Sequence, residues 1–170
     1  NGPIMIYPTD TIYGILGSAL SKKVVERIYT IKGRDENKPF IILISRIEDL
    51  KLFGVKISSD QQKYLKSVWP GKVSVILPCK SKKFSYLHRG TNSLALRLTK
   101  KKSLRALLEK TVPLVAPSAN PQGFVPATTI REAKNYFGNT VDIYVSGGKL
   151  QGKSSTLIYL LGKEPEILRK

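Results

Sequence analysis

The chain has 170 residues, with 29 Lys plus Arg against 12 Asp plus Glu and a formal net charge of +17, a balance that needs an anionic partner. Its 41% of hydrophobic residues fall in strand-like and helix-like runs, so residues 1–170 read as one globular domain rather than a disordered chain. No apolar run approaches the roughly 18 residues of a membrane span and no signal-peptide pattern opens the chain, so a cytoplasmic protein without a membrane partner is expected.

In chain order, Ile4 to Tyr7 is a short apolar strand stopping at Pro8, and Thr9 to Gly14 follows as a hydroxyl-rich loop. Ser21 caps a helix predicted over 22–31, with Val24, Val25, Ile28 and Ile31 on one face. The loop 32–39 leads into Phe40 to Ile44, a buried strand by its continuous apolarity. A helix is predicted over 59–68, ended by Trp69-Pro70-Gly71, then a strand over 73–77 and another over 93–98. A helix near 103–110 precedes the strand 114–116 and the loop 117–123. Thr129 and Glu132 make a capping box for a helix to about Phe137, and strands follow near 141–145, 155–161 and 165–169. The alternation, without linker or repeat, predicts one α/β domain around a central sheet.

A single cysteine, Cys79, excludes an internal disulfide, and a lone histidine, His88, excludes a zinc site of the usual Cys/His type. Catalysis must then rest on Lys, Arg, Ser, Thr, Asn and backbone groups, an inventory suited to phosphate chemistry more than to acyl hydrolysis. Residues 51–110 hold 15 of the Lys and Arg and only two acids, Asp60 and Glu109. That excess reads either as a solvated surface or as a phosphate-tracking patch for nucleic acid, whose affinity falls steeply with salt. Arg97 stands apart: an arginine alternating with leucines in a strand is costly unless it meets an anion or a carboxylate.

Gly147-Gly148-Lys149-Leu150-Gln151-Gly152-Lys153-Ser154 matches the P-loop pattern letter for letter. A working P-loop must open a helix, and Ser155 to Leu161 is β-branched and aromatic, with Gly162 and Pro165 close behind, so the run reads as a glycine-rich strand connection. Lys153→Ala is therefore expected to leave nucleotide binding intact; loss of all nucleotide binding with Lys32 in place would restore the P-loop.

Three separated segments share one chemistry: Thr9-Asp10-Thr11, Lys32-Gly33-Arg34 and Ser118-Ala119-Asn120. With Y-P-T-D-T-x-Y-G at 7–14, N-K-P at 37–39, W-P-G at 69–71, L-R at 96–97, A-P-S-A-N at 116–120, the paired glycines 147–148 and S-T at 155–156, the chain resembles the threonylcarbamoyl-AMP synthase family, called YrdC or Sua5. Thr99 and Gln122 depart from that pattern, which usually has proline and serine there.

The resemblance implies a YrdC-like α/β fold, a twisted mixed sheet with flanking helices and a basic concave face. It implies the reaction of L-threonine, bicarbonate and ATP to threonylcarbamoyl-AMP and pyrophosphate, serving tRNA threonylcarbamoyladenosine formation. Carried over by position, Lys32 and Arg34 are catalytic and meet the triphosphate, and Ser118 and Asn120 join them in binding ATP. Thr11, Arg97 and Ser155 hold threonine, with Arg97 on its carboxylate. Magnesium is expected to arrive with ATP. Proteins of the threonylcarbamoyl-transfer machinery, and tRNA or double-stranded RNA on the basic surface, are the macromolecular partners implied; a non-catalytic RNA-binding module of the same fold is the alternative.

Overall fold

Ser21 caps the first helix as the sequence predicts, and the helix runs one residue past the predicted end, to Lys32. In the computed structural model, which describes residues 2–162 and 164–170, the Ser21 hydroxyl accepts from the Val24 N–H and Gly33 closes α1 (Lys22–Lys32) in the left-handed conformation at φ 56°. The buried face of α1 carries Val24, Val25, Ile28 and Tyr29. It ends on Lys32, a buried cation, where Ile31 is only partly buried.

Among the described residues nine strands form one sheet: β1 (Met5–Pro8), β2 (Tyr13–Ser18), β3 (Ile41–Ile44), β4 (Val73–Pro78), β5 (Ser93–Leu98), β6 (Leu114–Val115), β7 (Ile143–Tyr144), β8 (Thr156–Tyr159) and β9 (Glu166–Arg169). Their order is β7-β1-β2-β6-β3-β5-β4-β8-β9, with β1–β7, β3–β5 and β4–β8 parallel and the other pairs antiparallel. Further helices flank it: α2 (Ser59–Val68), α3 (Ser85–His88), α4 (Lys102–Lys110) and α5 (Ile130–Phe137). The larger core joins α1 and the aromatic side chains Tyr29, Phe40, Phe53, Trp69 and Phe84 to the sheet, and a second cluster packs Leu104 and Leu108 of α4 on Leu16, Leu43 and Leu114. None of the described helices is long and apolar enough to cross a membrane.

Three departures from the sequence reading have local causes. Strand β2 is unpredicted because Gly14 and Gly17 dilute its apolar run. Gly17 is small for packing, since a Cβ there would come within 2.5 Å of Val24 and 2.8 Å of Ile28 on α1. The helix α3 and the 3-10 helices at Ile47–Phe53 and Lys82–Phe84 are short and carry no helical periodicity to read. The capping box of α5 is half formed: the Thr129 hydroxyl accepts from the Glu132 N–H, but the Glu132 carboxylate accepts from the Thr128 N–H, one residue earlier.

The P-loop lookalike opens no helix. After β7 the chain runs as an irregular strap over 145–155 straight into β8. Tyr13 pins the strap, its hydroxyl donating to the Gly148 carbonyl at 2.7 Å and accepting from the Gly147 N–H at 2.8 Å, and the Leu150 N–H donates to the Thr128 carbonyl. The strap also lies close against the Thr9–Gly14 loop: a Cβ at Gly147 would meet Pro8 at 2.5 Å, and one at Gly152 would overlap the Thr11 carbonyl.

Candidate active site

The period of two along β5 decides what faces the cavity. Leu94, Leu96 and Leu98 enter the main core, while Ser93, Ala95 and Arg97 line a cavity of about 420 Å³. Ile41 of β3, Ile76 of β4, Leu157 of β8 and Arg169 of β9 extend the same wall, and the loops around Thr9–Gly14, Arg34–Phe40, Pro117–Ser118 and Ser154–Ser155 complete it. The volume falls in the roughly 300–1,000 Å³ range of small-molecule sites.

Arg97 is 4% exposed and its Nη2 lies 3.1 Å from Asp10 Oδ1, with Nη1 3.4 Å from the Thr11 hydroxyl. Asp10 therefore supplies the counter-charge that an arginine in this strand requires. Burial lowers the Arg97 pKa from its ordinary value, Asp10 opposes that, and the neighbouring Arg169 adds to it. A guanidinium stays protonated regardless. The Thr9 hydroxyl accepts from the Thr11 N–H at 3.1 Å and donates to the Ile12 carbonyl at 2.6 Å, which fixes the loop. Ser155 is buried, its hydroxyl 2.8 Å from that of Ser74, and Arg169 donates to its carbonyl at 2.8 and 3.1 Å.

The cavity wall also carries Arg34 and Ser118. Arg34 Nε donates to the Lys38 carbonyl at 3.1 Å, and its guanidinium carbon sits 5.4 Å above the Phe40 ring. Lys32 and Asn120 lie behind this wall. The Lys32 ammonium, on a side chain 2% exposed, donates to the Ser118 carbonyl at 2.5 Å and to that of Asn120. The Lys32 carbonyl accepts from the Gln122 N–H, so α1 and the Ser-Ala-Asn turn are stitched together. Burial pushes the Lys32 ammonium down to about 7, with the Arg34 charge adding to the shift. Asn120 Nδ2 donates to the Pro121 and Phe124 carbonyls, folding its own loop.

Thr11, Arg34, Arg97, Ser118 and Ser155 thus come together on one cavity, whereas Lys32 and Asn120 support it from below. Sequence reasoning gave no role to Thr9, Asn37, Lys38, Thr91 and Arg169, which also line it. Arg169 was legible by the argument that singled out Arg97, a cation in an apolar strand. Thr91 comes in only through the turn before β5.

Among the described residues no Asp, Glu, His or Cys is on the cavity wall, and no three such side chains converge on a metal-sized position. The hydroxyl and amide oxygens of Thr9, Thr11, Asn37 and Ser118 fit a magnesium ion that arrives coordinated by phosphates and keeps its waters.

A family model for Sua5, YciO and YrdC proteins, described as telomere recombination, matches residues 1–170. The chain belongs to the Sua5/YciO/YrdC family. Within that family, a threonylcarbamoyl-AMP synthase of Pyrococcus abyssi is 30% identical over 170 residues, which is 99% of this chain and 50% of that protein. One from Marinobacter nauticus is 31% identical over 148 residues, 86% of this chain and 78% of that one. The crystal structure of P. abyssi Sua5 complexed with L-threonine superposes with a TM-score of 0.89 at 30% identity, covering 98% of this chain and 50% of that one. The chain thus spans about half the length of the Pyrococcus relative, and the Sua5/YciO/YrdC fold is the twisted mixed sheet with flanking helices described above.

Proposed function

We propose that this domain, residues 1–170, is a nucleotidyltransferase that makes threonylcarbamoyl-AMP and pyrophosphate from L-threonine, bicarbonate and ATP. It would act in the cytoplasm and hand its product to the proteins that modify tRNA. The observation carrying this reading is that one cavity is lined by Arg97, Thr11 and Ser155 together with Arg34 and Ser118. Relatives named threonylcarbamoyl-AMP synthase and a relative's complex with L-threonine support it.

Arg97 lies on the cavity wall beside its contact with Asp10. A guanidinium so placed can take the amino-acid carboxylate while Thr11 and Ser155 accept or donate to the threonine hydroxyl and amine. The neutral amine adds to carbon dioxide released from bicarbonate, its proton and the hydroxide from bicarbonate leaving as water, to form a carbamate whose carboxylate oxygen attacks the α-phosphorus as pyrophosphate leaves. Charge builds on phosphate oxygens, where the Arg34 fork and the Ser118 hydroxyl can donate. Magnesium bound with ATP supplies neutralisation of the leaving pyrophosphate. The protein's work is positioning, which suits a wall without acids or histidine.

The test is incubation with ATP, bicarbonate and L-threonine. Pyrophosphate release is expected only when threonine is present, and Arg34→Ala is expected to lower it by about 10²-fold or more. Release that ignores threonine would sink the assignment.

A further inference from the structure

Arg89 lies outside the cavity, yet its conformation is unusual and its side chain is held from several sides. It closes α3 at φ 48°, the left-handed region, which disfavours any residue with a Cβ, and Gly90 follows it directly. Its side chain is 12% exposed and pairs with Glu26 of α1 at 3.0 Å and with Glu36 of the loop carrying Arg34 at 3.5 Å. Its guanidinium carbon sits 4.2 Å from the centroid of the Tyr29 ring.

Tyr29 in turn stacks on Phe40, with centroids 4.0 Å apart and planes inclined by 19°, and Arg34 sits above Phe40. The order is therefore Arg89, Tyr29, Phe40, Arg34: two rings between two guanidiniums. Both inner rings are almost fully buried. The far end is fastened as well, because the Tyr29 hydroxyl and Arg34 Nε both donate to the Lys38 carbonyl, at 3.0 and 3.1 Å. A long side chain such as Arg loses much rotamer freedom when held in one pose, and here the pose is imposed before any ligand arrives.

We propose that Arg89, Tyr29 and Phe40 form a column that sets the plane and reach of the Arg34 guanidinium, which makes Arg89 a positioning residue for phosphate binding in the cavity. The proposal rests on the reading that Arg34 meets the triphosphate, and its test has one arm that does not. Cation–π contacts and the paired glutamates hold Arg89 over one face of Tyr29; without it, that ring and Phe40 gain freedom to tilt, and the Arg34 fork no longer presents two parallel N–H groups at a fixed angle.

The experiment uses Arg89→Met, which keeps length and apolar contact, and Arg89→Lys, which keeps charge without the planar face. In the ligand-free protein, the Arg34 Nε–H resonance, assigned by its loss in Arg34→Lys, is expected to exchange with solvent about five- to tenfold faster in Arg89→Met, and less so in Arg89→Lys. With ligand, calorimetry is expected to show ATP binding weakened about five- to tenfold by Arg89→Met and L-threonine binding unchanged. The ATP loss should vanish when Arg34 is already Ala, since residues acting through one another are not additive. Unchanged Arg34 exchange, or an ATP loss that persists in the Arg34→Ala background, overturns the column. Failure of the unaltered protein to bind ATP overturns the functional reading instead, and the exchange arm still decides the column.

Discussion

Arg97→Met is expected to remove L-threonine binding and about 3–5 kcal/mol of folding stability in one step, because it strands a buried carboxylate. Asp10 is 9% exposed at its side chain, and neither carboxylate oxygen makes a hydrogen bond, so the Arg97 charge 3.1 Å away is its compensation. The two losses are separable. Adding Asp10→Asn to Arg97→Met leaves a neutral amide where a lone charge stood and should recover most of the stability, measured by urea unfolding. Threonine binding, measured by calorimetry, should stay absent, since the cation that meets the amino-acid carboxylate is still gone. An Arg97→Met protein that binds threonine within about threefold of the unaltered chain would falsify the role given to this residue.

The second large effect belongs to Lys32. Lys32→Met deletes two hydrogen bonds beneath the Ser118-Ala119-Asn120 turn; the Ser118 carbonyl keeps the Asn120 N–H, while the Asn120 carbonyl loses its donor at about 1–3 kcal/mol. The slackened turn carries Ser118, so pyrophosphate release should fall by about 10²-fold.

The pH dependence is specific. Burial holds the Lys32 ammonium at about 7 in the fold, against roughly 10.4 for an unfolded lysine. Between those values the unfolded chain binds the extra proton, so this group's contribution to stability rises with pH across that window and is flat outside it. The stability difference between the unaltered chain and Lys32→Met should therefore widen from pH 7 to 10. A deprotonated amine retains two N–H groups, enough for both carbonyls, so the clamp survives while the charge goes. A triphosphate bound nearby draws the proton back, and ATP binding at pH 8 should take up a fraction of a proton, read from calorimetry in buffers of different ionisation enthalpy. No uptake at pH 8 would place Lys32 out of electrical reach of the phosphates.

Local signals made much of this fold legible. Ser21 marks the start of α1, and the apolar runs of β3, β4 and β5 need only their own residues to be recognised. Arg97 announced its need for a counter-charge because leucines alternate with it, but which carboxylate answers depends on the loop after β1 reaching across to β5, and pairing at that sequence distance leaves no local trace. The same holds for Lys32. Its motif marks it as a phosphate cation, while the structure spends its ammonium on two backbone carbonyls nearly ninety residues away. Strand β2 was hidden by Gly14 and Gly17, and the purpose of Gly17 lies in the helix packed over it.

The strap between β7 and β8 has a mechanical consequence. Strand β7 lies at one edge of the sheet and β8 next to the other, with seven inter-strand gaps between them. Laid flat, those gaps span roughly 34 Å at the usual strand spacing. The link from Tyr144 to Thr156 reaches about 40 Å at full stretch and is not straight, since it is tied to Tyr13 and Thr128 on the way. Sheet and strap together make a closed hoop with little spare chain, so flattening the sheet would draw the strap taut. The curvature that shapes the cavity is thereby limited by a length of chain as well as by strand twist, and a residue inserted in the strap changes the circumference of the hoop.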